Sequence, residues 1–239
     1  MSESDKPGEG RGRPENVGRP RGPKLPPRLI DISRPLTSAT PVWPGDAPTR
    51  PAWTARIADG SSVNVGQLAT SLHAATHADA PLHFAADGAS IDDVDLSAYY
   101  GSACILERLG TGPITPKELS SALPDGLLPA PRVLFRTWPS APPAEWVDDF
   151  AYFDPSTIHR LADLGAVLVG IDTPSFDAVD SKTLASHHVL HERGLLNLEN
   201  LDLSQARIGE RYTLSAFPLR ISGMDASPVR AVLIGEDLE

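Results

Sequence analysis

The chain has 239 residues, 41% hydrophobic and 22% charged, with a net charge of −10. That length supports one domain with a sizeable core, and the hydrophobic content excludes a disordered chain. No apolar run reaches the roughly 18 residues a membrane helix needs, the N-terminus lacks an apolar signal-peptide region, and a single cysteine, Cys104, excludes an intramolecular disulfide; a cytoplasmic protein is expected.

Charge is distributed unevenly. Residues 1–28 hold seven basic and four acidic residues, a net of +3, while the remainder holds 14 basic and 27 acidic, a net of −13. An acidic body argues against a nucleic-acid groove. Residues 1–27 contain six prolines and five glycines, with only Val17 and Leu25 as large aliphatics. Such a segment cannot bury enough apolar surface to offset its ordering entropy, so it is expected to be a disordered tail ahead of a domain over residues 28–239.

The domain opens with a predicted strand near Leu29–Ile32. Pro41, Pro44 and Pro48 remove ladder donors, so the segment around Trp43 is an ordered loop. Trp43 is either a core plug or a pocket wall. Val63, Val65 and Leu68 alternate as in a strand and lead toward a histidine-rich segment.

That segment is His73-Ala74-Ala75-Thr76-His77-Ala78-Asp79-Ala80-Pro81-Leu82-His83. A helical turn would put His73 and His77 on one face. Asp79 joins them if the chain becomes extended there, as Pro81 favours. Two nitrogens and one oxygen would then aim at one point, leaving a position for water, the pattern of a catalytic zinc site.

Asp87-Gly88 signals a turn. Ala103–Leu106 forms a short buried strand that makes Cys104 structural. Thr115-Pro116-Lys117-Glu118 is a capping box that starts a helix through Leu123. Val133–Thr137 is a strand. Asp154-Pro155-Ser156 starts a helix that stops at Gly165. The apolar run Ala166–Ile171 suits a strand buried on both faces, with Asp172-Thr173-Pro174-Ser175 turning at its carboxyl end. Ser181 caps a helix predicted over Lys182–Arg193 and closed by Gly194. That helix carries His187, His188 and His191, which serve either as a solvated face or as part of a site. Tyr212–Ile221 and Val229–Leu233 are the last predicted strands. Interleaved helices and strands give an α/β fold.

The histidine segment resembles the H-x-G-T-H-x-D-x-P-x-H signature of the metal-dependent cyclase/formamidase family. Thr40–Asp46, Gly170–Ser175, Ser181-Lys182-Thr183 and Met224–Ala231 extend the likeness toward its bacterial kynurenine formamidase (arylformamidase) branch, from about residue 28 onward. One departure is Ala75, where the family usually has glycine; a positive φ there would strain an alanine.

The resemblance implies a single layered domain with a small β-barrel-like mixed sheet and flanking helices, of the swivelling β/β/α type, usually a homodimer or higher oligomer. It adds His187 and Glu199 to His73, His77 and Asp79 as ligands of two zinc ions bridged by Asp79, and manganese also suits such a set. It makes His83 the catalytic histidine, with a third metal ligand as the alternative, and puts Trp43 against the substrate's aryl ring. The expected reaction is hydrolysis of an aryl-formamide, N-formyl-L-kynurenine, in tryptophan catabolism. Other readings are a family hydrolase for isatin or another cyclic or aryl amide, a secondary-metabolism cyclase, or a structural zinc module, against which the lack of thiolates weighs.

Overall fold

The computed structural model describes residues 28–235; the predicted tail over residues 1–27 lies outside them. Among the described residues, thirteen strands and three α-helices follow one another: β1 (Leu29–Asp31), β2 (Arg50–Ala55), β3 (Val65–Ala69), β4 (His77–Asp79), β5 (Tyr100–Glu107), β6 (Gly112–Ile114), α1 (Pro116–Ala122), β7 (Arg132–Arg136), β8 (Ala151–Phe153), α2 (Pro155–Asp163), β9 (Leu168–Ile171), α3 (Ala185–Arg193), β10 (Leu196–Leu198), β11 (Tyr212–Ser215), β12 (Ala226–Pro228) and β13 (Val232–Gly235).

Seven strands form one mixed sheet in the order β1-β13-β11-β5-β7-β9-β10. The half from β1 to β5 is antiparallel, and the half from β5 through β7 and β9 to β10 is parallel. Side-chain alternation divides the core between the two faces. Ala103, Ile105, Leu134 and Leu168 pack into one cluster with Tyr212, Leu214 and Leu233. Cys104, Val133, Phe135, Val169 and Ile171 point the other way, onto Leu119 of α1, Ile158 and Leu161 of α2, and Val189 and Leu190 of α3. Burial pushes the Cys104 thiol up to about 11, which fits a structural residue.

The capping box at Thr115 and Glu118 forms as predicted, and Asp154 caps α2. Several predicted boundaries move: the last strand runs Val232–Gly235 and not Val229–Leu233, and the apolar run from Ala166 enters the sheet at Leu168. The last helix begins at Ala185, three residues later than Lys182, because Leu184 takes a left-handed conformation at φ 46°. Ser181 Oγ does accept a bond, from Leu184 N, but the first helical N–H groups go elsewhere. The predicted strand over Tyr212–Ile221 stops at Ser215, short of Pro218, which has no N–H for a ladder. A separate strand, β12, follows and pairs antiparallel with β4.

The hairpin of β2 and β3 stands apart from this body. Thr49 and Thr70 close its base through a 2.8 Å hydroxyl contact. Beyond that base both faces are open: Trp53 is 60% exposed, Ile57 59% and Leu68 50%. The strand was expected from its alternation, but neither face of it is buried.

Candidate metal centre

The histidine segment is not helical at His77. Residues 73–76 turn, and His77–Asp79 is strand β4. It is therefore His77 and Asp79, two apart on a strand, that share a face, while Ala78 between them is fully buried in the core. His73 reaches the same point from the preceding turn. Ala75 has φ 56°, so the glycine-like backbone is kept and alanine carries the strain.

β4 lies between two neighbours. On one side it pairs with β12, matching Asp79 to Ala226. On the other, His77 and Glu199 exchange backbone bonds of 3.3 and 3.0 Å, so their side chains leave the ladder side by side. Glu199 follows β10, and His187 lies on α3, packed behind that strand. Five predicted residues thus converge.

The inner atoms are close. Asp79 Oδ1 lies 3.0 Å from His73 Nδ1 and 3.3 Å from His77 Nε2. Asp79 Oδ2 lies 3.7 Å from His187 Nε2 and accepts from Asn197 Nδ2 at 2.8 Å. Glu199 divides its oxygens similarly, Oε2 3.4 Å from His77 Nε2 and Oε1 3.2 Å from His187 Nε2. Three ligand groups result: His73-His77-Asp79 and Asp79-His187-Glu199, both largely buried and sharing Asp79, and His73-His83-Asp225 at the more open edge.

The outer nitrogen of each imidazole has its own acceptor. His77 Nδ1 faces Ala75 O at 2.9 Å, His187 Nδ1 faces Asp177 Oδ2 at 2.6 Å, and His73 Nε2 faces Asp225 Oδ2 at 2.9 Å. With outer nitrogens so held, Nδ1 of His73 and Nε2 of His77 and His187 are left to turn inward. Such outer acceptors orient metal-ligating histidines. Asp177 does more: its two oxygens also take the Ser186 and His187 N–H groups, supplying the cap that Ser181 was expected to give.

The centre suits a cation. His77 Nε2 and Asp79 Oδ1 are buried, 3.3 Å apart, and neither has a hydrogen-bond partner. Leaving such groups unpaired is costly, and a cation between them would satisfy both. Burial alone would lower the His77 and His73 pKa values. The carboxylates override it, Asp79 and Glu199 raising His77 to about 10, and Asp225 and Asp79 raising His73 to about 9. Against its own burial, Asp79 is held well below the usual carboxylate range by His187, His73 and His77. Without a cation, protons on the imidazoles supply the missing positive charge.

Three residues of the centre, His73, His187 and Glu199, line a cavity of about 570 Å³. Trp43 lies in its wall, not in the core, and meets Trp146 edge-on at 5.1 Å. Trp138 adds a third indole, its Nε1–H donating to Asp172 O at 3.0 Å. Asp172 accepts from Thr137 N and Oγ1 and from Trp138 N. Burial pushes its carboxyl up to about 6, against the pull of those bonds. His83 is half-exposed at the cavity edge, its ring 4.1 Å from that of His73. His188 and His191 are exposed on α3.

The sequence reading missed Asp177, Asn197, Asp225, Trp138 and Trp146. The Met224–Ala231 segment had been singled out, but nothing in its spacing tied Asp225 to the histidines.

Residues 30–178 match the family described as "Putative cyclase". The kynurenine formamidase of Paracidovorax citrulli (strain AAC00-1) is 48% identical over 210 residues, covering 87% of this chain and 97% of that protein. A potential metal-dependent hydrolase with cyclase activity superimposes with a TM-score of 0.72 at 23% identity, over 88% of this chain and 98% of its own. Isatin hydrolase A from Labrenzia aggregata does so with a TM-score of 0.72 at 23% identity, over 87% and 94%. These structures share the curled, mixed half-barrel sheet with its few helices.

Proposed function

Because this chain belongs to the cyclase family, and within it to the kynurenine formamidase branch, we propose that it is a metal-dependent amidohydrolase that converts N-formyl-L-kynurenine and water to L-kynurenine and formate. The observation that carries this reading is the pair of buried, unbonded atoms, His77 Nε2 and Asp79 Oδ1, directly behind His73, His187 and Glu199, which line a tryptophan-walled cavity.

His73, His77 and Asp79 would hold one Zn²⁺ and Asp79, His187 and Glu199 a second, Asp79 being common to both donor sets; Mn²⁺ would fit the same donors. When bound, two such cations supply Lewis acidity, lowering the pKa of water toward about 7 and polarising a carbonyl. The chain supplies the rest. Trp43, with Trp138 and Trp146, holds the aryl ring and keeps bulk water away. His83 Nε2 takes the proton from the attacking water and returns it to the departing arylamine nitrogen, so the C–N bond breaks with a neutral amine leaving. Lys182 lines the cavity, forms no ion pair among the described residues, and offers a cation to the carboxylate of an amino-acid substrate.

The functional unit is taken as residues 28–239, acting in the cytoplasm as a homodimer. The exposed apolar faces of the β2–β3 hairpin support the dimer, since an isolated two-stranded hairpin is marginal in water. No helix of the described residues is long and apolar enough to cross a membrane. A cyclic amide such as isatin is the second reading, on the strength of the shared fold with isatin hydrolase. The test is formate release from N-formyl-L-kynurenine by protein of measured zinc content. Activity should track zinc, vanish with chelator and return on reloading. Zinc-replete protein that releases no formate overturns the proposal, and ring opening of isatin in the same panel would select the second reading.

A further inference from the structure

Asp225 precedes β12 and has no part in the chemistry just described. One of its oxygens, Oδ2, faces two imidazoles, His73 Nε2 at 2.9 Å and His83 Nδ1 at 3.3 Å. The two rings lie tilted against each other, centroids 4.1 Å apart. The backbone holds the carboxylate in place, because Asp225 O accepts from Ala80 N at 2.8 Å, next to β4. An ionised carboxylate only accepts hydrogen bonds. Each nitrogen turned toward Asp225 must therefore carry the proton, and the opposite nitrogen of each neutral ring keeps its lone pair. For His73 that nitrogen is Nδ1, the one 3.0 Å from Asp79. For His83 it is Nε2, the one left for a molecule in the cavity.

We propose that Asp225 is a positioning residue that fixes the tautomers of His73 and His83 together, so that one carboxylate oxygen presents a metal ligand and a proton carrier in register. A ring held by its second nitrogen keeps both its orientation and its accepting lone pair. Without Asp225, His83 would be free to turn or to place its proton on Nε2, where it could no longer accept one. The rate consequence rests on the formamidase reading; the tautomer assignment does not.

The test has two arms, both on the full zinc-loaded chain. In ¹⁵N-histidine NMR spectra, neutral His83 should carry its proton on Nδ1 in the wild type. Asp225→Ala should give a mixture of tautomers, and Asp225→Glu should restore the wild-type form in part. A His83 proton on Nε2 in the wild type, or a His83 signal indifferent to Asp225→Ala, overturns the proposal. In the kinetic arm, with zinc saturating, Asp225→Ala should lower kcat by about 10- to 100-fold and leave KM nearly unchanged. In a His83→Ala background the same change should add little to the loss in kcat, because its route through His83 is gone and saturating zinc offsets its route through His73. Losses that multiply overturn the proposal. Folded wild type with no formamide turnover would instead overturn the formamidase reading, and the NMR arm would still decide this one.

Discussion

Two carboxylate–histidine pairs flank the centre, and they are built differently. Asp177 and His187 are sealed in, with side-chain exposures of 8% and 3%. Asp225 and His73 lie at the cavity edge, with 40% and 21%. Asp177 also caps α3, so the same carboxylate holds a helix and a candidate ligand. Asp225 makes no such structural bonds with its side chain and reaches His83 instead. One pair is part of the fold, and the other faces the cavity. Carboxylates at the same remove from a candidate metal centre can thus differ in what they support.

The largest expected effect removes what the two sides share. Asp79→Asn keeps the shape and takes away the bridging charge. Zinc should fall from two per chain to one or none by elemental analysis, with turnover down by about 10³-fold. Retention of both metals and full rate would break the dinuclear assignment. Next comes Asp177→Ala. It should weaken zinc binding by about 10- to 100-fold and also destabilise the metal-free protein by about 1–3 kcal/mol, since two N–H groups of α3 and His187 Nδ1 lose their acceptor. Asp225→Ala should match it in zinc affinity with a smaller loss in Tm, since its half-exposed pair with His73 carries no helix cap. Equal thermal losses in the two variants would erase the distinction between the pairs.

Titration sharpens the picture. In the metal-free protein His73 and His77 have pKa values raised to about 9 and about 10 from 6.5. A raised folded-state value stabilises fully below the unfolded value and is lost as pH climbs through the folded one. The Tm of metal-free protein should therefore fall between pH 7 and pH 10. Metal loading runs oppositely, because imidazoles must give up protons to bind. Affinity should rise over that window. Near pH 7 loading should release more than one proton per chain, measurable by calorimetry in two buffers, since His187 is also raised well above 6.5, against its own burial, by Asp177, Asp79 and Glu199. The smallest effect is at Ala75. Ala75→Gly relieves the positive φ and should gain up to about 1 kcal/mol, a rise of a few degrees in Tm at most, with zinc content unchanged.

What could be read from the sequence follows from how local each interaction is. His73, His77 and Asp79 crowd into seven residues, so their convergence was visible, although strand alternation and not a helical turn produces it. The box at Thr115 and Glu118 was legible because both partners lie within one helical turn. The start of α3 was misplaced because its cap comes from Asp177, outside the window in which capping is sought. His187 and Glu199 came from family likeness, since their meeting with β4 depends on a bridge between His77 and Glu199. Trp138 and Trp146 carry no spacing signal at all, and only the folded cavity shows their use.

The alternation in β4 has one more consequence. Ala78 fills the core beneath His77 and Asp79, and both flanks of the strand are already bonded. An arriving ion finds the cage finished. Its capture should then be limited by collision and proton departure, in a single fast phase, with no slow rearrangement of the polypeptide to wait for.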